Sequence, residues 1–206
     1  MDYRYEYYPK PVSMLRIRLI EAPHQKQTQH HEIVGFFAEE YEKYISSGKI
    51  KNLLNFVDSL LKIPEKIYLI QEILVILSEL MTDLKRQVYQ YQQEFINWMT
   101  SQIGVSVEDL TNKTQLFQLL ENPQINNHHL DITTITNILI SNERKLTVDP
   151  RERTFRYTLE QSYEKSLEEL FPIKRRIDLT DSLIDQIVYR LYGLTDEEIA
   201  IVEGKA

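Results

Sequence analysis

Five histidines are the side chains of this chain best suited to a metal: His24, the pair His30-His31, and the pair His128-His129 with Asp131 two residues on. Neither group has ligand spacing. Adjacent ring pairs point to different sides of a helix, and no His-Glu-x-x-His or Cys/His pattern is present, so solvated loop histidines are expected and no metal. Five glycines occur and none forms a G-x-G-x-x-G or G-x-x-x-x-G-K arrangement. Gly48-Lys49 lacks both the upstream glycine and the following hydroxyl residue, so a phosphate cradle is not expected either. Cysteine is absent, which excludes disulfide and thiolate chemistry and is compatible with a reducing cytoplasm, the expected location. Carboxylates are plentiful, but they fall on amphipathic stretches where solvation accounts for them, and no convergent carboxylate–lysine set of a nuclease is recognisable. No catalytic residue is therefore assigned. What remains is basic: Arg16 and Arg18 near the start and Lys174-Arg175-Arg176 later are candidates to touch a nucleic-acid backbone, with a solvated face as the plainer alternative. A formal net charge of −7 argues against phosphate binding by the chain as a whole.

The elements that must position these residues are mostly helical. Residues 1–22 read as a short β segment: Tyr3, Tyr5 and Tyr7 share one side at period two, and Leu15, Ile17 and Leu19 alternate with Arg16 and Arg18. Met1-Asp-Tyr-Arg lacks the basic and apolar regions of a secretory leader. Residues 23–206 form the helical region. Ile33, Phe36, Phe37, Tyr41, Tyr44 and Ile45 make a stripe ended by Ser46-Ser47-Gly48, and a shorter helix carries Leu53, Leu54, Phe56, Val57, Leu60 and Leu61 up to Pro64.

A long helix follows over about 65–102, and its 1.5 Å rise makes it about 50 Å long. Ile67, Ile70, Leu74, Leu77, Met81, Leu84, Val88, Tyr91, Phe95 and Trp98 are spaced alternately three and four apart, a coiled-coil-like seam. Charged residues interrupt every apolar run, so it is not a membrane span and no membrane partner is expected. The seam needs an antiparallel partner, predicted in a second arm over about 150–192, faced by Phe155, Leu159, Tyr163, Leu167, Leu170, Ile173, Ile177, Ile184, Val188 and Leu191. Homodimerisation through the same seam is the alternative. Asp149 is expected to cap that arm with Pro150 at its first position, and Pro172 to kink or break it. Between the arms the spacing predicts two short helices, about 109–121 and 131–142, with Asn122-Pro123 in a loop. The fold class is mainly α: long antiparallel arms with a short N-terminal β segment.

At the end of the chain, Leu183, Ile184, Ile187, Val188 and Leu191 form an apolar face, Gly193 stops the helix, and Thr195 with Glu198 spells a capping box for a last short helix. The wording Ile184-Asp-Gln-Ile-Val-Tyr-Arg-Leu-Tyr-Gly-Leu-Thr-Asp-Glu-Glu-Ile-Ala-Ile-Val-Glu203 closely resembles the C-terminus of single-chain type II restriction-modification enzymes, in which an adenine-specific DNA methyltransferase is joined to a TaqI-like specificity domain. Phe95-Ile-Asn-Trp-Met-Thr-Ser-Gln-Ile-Gly104, Asp109-Leu-Thr-Asn-Lys-Thr114 and Val148-Asp-Pro-Arg151 resemble the helical region before that C-terminus. Tyr8-Pro-Lys-Pro-Val-Ser-Met-Leu-Arg-Ile-Arg18 is similar to the last strand of the family's target-recognition domain.

The resemblance implies a piece that follows catalysis and most DNA reading. The family's methyltransferase needs a Gly-rich loop for S-adenosylmethionine and an Asn-Pro-Pro-Tyr type tetrapeptide for the extruded base. Here Asn122-Pro123 is followed by Gln124-Ile125, so neither is present. S-adenosylmethionine and Mg²⁺ are thus implied only for a parent enzyme, and no cofactor is expected in this chain. The expected role is structural or DNA-binding support, with DNA reached through the parent enzyme or a companion subunit. The alternative is a stand-alone helical coiled-coil interaction protein with no nucleic-acid role.

Overall fold

The computed structural model describes residues 27–121 and 128–205, with side chains over 32–117 and 132–205. The β segment expected over 1–22 lies outside these residues, as do Arg16, Arg18 and the Asn122-Pro123 loop. Seven α-helices are described: α1 Gln27–Ser47, α2 Lys51–Leu61, α3 Ile67–Ile103, α4 Lys113–Glu121, α5 His128–Ser141, α6 Arg153–Tyr192 and α7 Asp196–Val202. The protein is mainly helical. No helix among the described residues is long and apolar enough to cross a membrane.

Two helices dominate, α3 with 37 residues and α6 with 40. They run antiparallel and carry a separate core at each end. In the first, Leu69, Ile70, Ile73 and Leu77 from the start of α3 meet Leu183 and Ile187 from the end of α6, closed over by Phe37, Tyr41 and Tyr44 of α1 and Leu53, Leu54, Val57 and Leu60 of α2. In the second, Phe95, Met99 and Ile103 from the end of α3 meet Leu159, Tyr163 and Leu167 from the start of α6, under Leu116 of α4 and Ile135, Ile138 and Leu139 of α5. Between the cores, Met81 and Leu84 of α3 and Leu170 of α6 are buried but belong to neither.

The α3 seam is broader than a heptad stripe. Ile70, Leu77, Met81, Leu84 and Phe95 are buried as their spacing predicts, whereas Ile67, Leu74, Val88, Tyr91 and Trp98 are half-buried. Leu69, Ile73, Met99 and Ile103, which lie outside the stripe, are buried instead. The cause is that α3 packs on more than one neighbour near its ends, with α1 and α2 as well as α6 beside it, and a helix facing several partners buries a wider arc than a two-helix seam. In α6, likewise, the deeply buried positions after Pro172 are Thr180, Leu183 and Ile187, each one residue before a position expected from strict heptads. There α1 and α2 pack on its flank.

Two expectations about the course of α6 meet the structure. Of the kink or break expected at Pro172, the break does not occur: the helix runs through without interruption. Pro172 and Glu168, whose carbonyl loses its i+4 donor, are both exposed, so the proline sits on the solvent side of the helix while Leu167 and Leu170 stay in the packed face. Nor does Asp149 cap the helix. Its Oδ1 accepts from Arg151 N at 2.8 Å and its carbonyl accepts from Glu152 N at 3.1 Å, so Asp149-Pro150 builds a β-turn and α6 starts only at Arg153, behind Glu152.

The end of α3 is held by a close approach. Gly104 has φ 74° and its N–H donates to Thr100 O at 3.0 Å. The N–H of Thr147 donates to Ile103 O at 2.9 Å and its hydroxyl to the same carbonyl at 3.1 Å, which ties off the last turn. A Cβ on Gly104 would lie 2.3 Å from Thr147 Oγ1 and 2.4 Å from its Cγ2, so glycine is demanded by both backbone and space.

Candidate functional site

The basic triplet Lys174, Arg175 and Arg176 lies near the middle of α6, where successive side chains fan out by about 100° each. The three have different surroundings. Arg176 turns into the α1 contact: its guanidinium pairs with Glu42, its Nε donates to Tyr41 Oη at 3.3 Å, and its Cζ sits 5.2 Å from the centre of the Tyr41 ring. Burial works against this charge, but Tyr41 and Glu42 together outweigh it and hold the guanidinium above its ordinary pKa. Arg175 is exposed and Lys174 half-buried.

Arg176 is one member of a closed circuit. Thr180 Oγ1 donates to Arg176 O at 2.6 Å and therefore accepts from Tyr41 Oη, 2.7 Å away, while Tyr41 Oη accepts from Arg176 Nε. Every polar atom of a fully buried threonine is satisfied, and α1 is locked in register on α6. Tyr44 adds a bond to Leu179 O at 3.1 Å, and burial raises its phenol pKa. A threonine in an amphipathic helix carries no such message in sequence. Its signal was negative, a polar residue one step off an apolar stripe.

A second polar cluster joins α5 to the segment after α3. Asn142 is buried; its Oδ1 accepts from Thr111 N at 2.8 Å, and its Nδ2 donates to Thr111 O at 3.1 Å and to Ile138 O at 2.9 Å. One side-chain amide thus pairs with both backbone groups of one residue, as a neighbouring strand would. Lys145 Nζ donates to Asp109 O at 2.8 Å across the same junction.

Five cations lie between residues 144 and 156: Arg144, Lys145, Arg151, Arg153 and Arg156, all exposed. None of them was singled out from sequence, and Glu143, Asp149 and Glu152 are interleaved with them. Arg151 pairs with Glu143. Arg151 and Arg156 also border a groove of about 250 Å³ between α5 and α6, where Thr133, Asn137 and Glu160 contribute. Among the described residues no group of three or more His, Cys, Asp or Glu side chains gathers to hold a metal. The side chains of the two histidine pairs fall outside the described residues.

The chain's last turn matches its spelling. Gly193 has φ 64°, its N–H donates to Arg190 O at 3.2 Å, and Leu194 N donates to Tyr189 O at 3.0 Å, a Schellman stop. Thr195 Oγ1 then accepts from Glu198 N at 3.3 Å, and the Glu198 carboxylate accepts from Thr195 N at 2.8 Å. Arg190 Nε reaches Asp58 of α2 at 3.2 Å, so this terminus is tied to the first core. Asp185 beside it is held above the usual carboxylate range by burial first, then by Asp181 and Glu203. No protein-family model, curated protein or solved structure matches the chain significantly.

Proposed function

We propose that this chain is the C-terminal helical portion of a type II restriction-modification DNA methyltransferase, adenine-specific in its parent enzyme, and that it acts as a structural and DNA-binding support without catalysis of its own. The observation that carries the reading is residues 184–203, whose wording resembles that family's C-terminus. The same residues form a helix end, a Schellman stop and a complete capping box, so the resembling words are also the structural ones. The two long helices would serve as coiled-coil-like arms bracing a recognition domain against a methyltransferase module, with residues 1–22 as the end of the recognition domain. Because the α3 and α6 stripes are buried against each other within one chain, a homodimer through that seam requires the arms to be exchanged between copies.

DNA is the proposed partner, reached through the parent enzyme or a companion subunit that supplies S-adenosylmethionine binding and the base-holding tetrapeptide. Among the backbone-contact candidates, Arg175 is the exposed member of the α6 triplet, and Arg16 and Arg18 lie outside the described residues. Arg176 is committed to Glu42 and Tyr41, so its part in such a contact would cost the α1 attachment. The test is the DNA upstream of Met1. The proposal expects an open frame or a neighbouring gene encoding an Asn-Pro-Pro-Tyr type motif; unrelated genes on both sides, with no effect of the chain on any DNA-binding or methylation reaction, would overturn it.

A further inference from the structure

The packing of the described residues is uneven along the long helix pair. Thirteen buried apolar side chains make the first core and twelve the second, whereas Met81, Leu84 and Leu170 are the three that lie between them, all from α3 and α6. Helices α1 and α2 close over one end and α4 and α5 over the other, so at this waist the two long helices pack on each other. Among the described residues, only α3 and α6 cross from one core to the other. Both carry a weak point near the same level. In α6, Pro172 has no N–H to give Glu168 O, and its ring crowds that carbonyl. In α3, Thr82 Oγ1 donates to Ser78 O at 3.0 Å, a bond onto the preceding turn of the kind that loosens and bends helices. Counting equal steps along the antiparallel pair from the ring contact of Phe95 with Tyr163 brings Pro172 level with Arg86, about one turn from Thr82.

We propose that this waist is a hinge: the two cores move as rigid bodies, and α3 and α6 flex between them around Thr82 and Pro172. A hinge needs two bodies stiffer than what joins them, a weak point in every segment of the connection, and a joint whose bending disturbs little packing. The two cores supply the first condition. Thr82 and Pro172 supply the second, one in each of the two helices that cross, and neither belongs to a core. The third follows from burial. Pro172 and Glu168 are exposed, as are Thr82, Asp83, Lys85 and Arg86, so bending there moves exposed side chains and the three buried ones named above. The hinge does not depend on the proposed lineage; in an arm that braces two modules it would set the angle between them.

The chain has no cysteine, so introduced pairs carry the only spin labels. Asn55→Cys with Thr114→Cys spans the waist, from α2 to α4, while Thr114→Cys with Thr158→Cys stays within the second body; all three positions are exposed. Double electron–electron resonance on the full chain reads the width of each distance distribution. The spanning pair should be at least about twice as broad as the internal pair. Pro172→Ala, which restores the missing N–H, should narrow the spanning distribution to the internal width. Because Pro172 is exposed and alanine favours a helix interior, this variant does not endanger the fold. A spanning distribution as narrow as the internal one, or a broad one that Pro172→Ala leaves unchanged, would overturn the proposal.

Discussion

Replacing Gly104 by alanine probes the junction that closes the second core. At φ 74° an alanine pays for left-handed backbone, about 1–2 kcal/mol. Its Cβ would also overlap the Thr147 side chain at 2.3 Å and 2.4 Å, so Thr147 must withdraw. Withdrawal releases two bonds to Ile103 O, from the Thr147 hydroxyl and N–H, at about 1 kcal/mol each. The sum is about 3–4 kcal/mol. Gly48→Ala is the internal control: φ there is 71°, yet nothing lies within 4 Å of the added carbon, so only the backbone term of about 1–2 kcal/mol applies. Urea unfolding followed by far-UV circular dichroism and Trp98 fluorescence measures both. A gap of about 2 kcal/mol is expected between the variants, and in a Thr147→Gly background Gly104→Ala should fall to the cost of the control. Equal losses for Gly104→Ala and Gly48→Ala in the native background would refute the close packing of Thr147 on the end of α3.

Three further outcomes are expected. Thr180→Val leaves the buried Tyr41 hydroxyl without its acceptor and should cost about 1–3 kcal/mol, while the double variant with Tyr41→Phe costs less than the sum of the singles in urea unfolding. Asp185 has a raised pKa in the folded protein, so its contribution to stability is present at low pH and is lost as pH rises through that elevated value; Asp185→Asn should raise the melting temperature at pH 7, with the advantage shrinking toward pH 4. Finally, Arg175→Glu should leave unfolding unchanged and flatten the salt dependence of DNA binding by at least about one unit of slope, whereas Arg176→Glu destabilises the fold by bringing a carboxylate to Glu42. A stable Arg176→Glu protein, or an unchanged slope for Arg175→Glu, would contradict these assignments.

How much was legible in the sequence depended on whether the signal was local. The long helices were predicted at about 65–102 and 150–192 and are observed at Ile67–Ile103 and Arg153–Tyr192, because apolar spacing and glycine stops are read along one strand of chain. The capping box at Thr195 and Glu198 was equally plain. The start of α6 was misread because Asp-Pro is both a helix opening and a β-turn, and the choice fell to the Asp149 carboxylate and carbonyl, which bond to Arg151 and Glu152. Whether Pro172 would interrupt α6 was not decided locally, since the cost of a proline inside a helix depends on whether the freed carbonyl faces water; the helix continues through it. Thr180 and Asn142 were invisible: each is a polar side chain whose role is set by a partner on another segment, Tyr41 and Thr111, far away in sequence. The difference between Arg175 and Arg176 was hidden for the same reason, because Glu42 and Tyr41 bind only the second.

The central claim is that this helical chain supports DNA methylation performed elsewhere. It is tested most directly by methyl transfer from S-adenosylmethionine to adenine in DNA, measured for the protein encoded beside it or in frame before it, with and without residues 1–206. The account predicts little transfer by the catalytic portion alone, none by this chain alone, and restored, site-specific transfer when the two are combined. Full activity and unchanged DNA binding of the catalytic portion in the absence of this chain would contradict it.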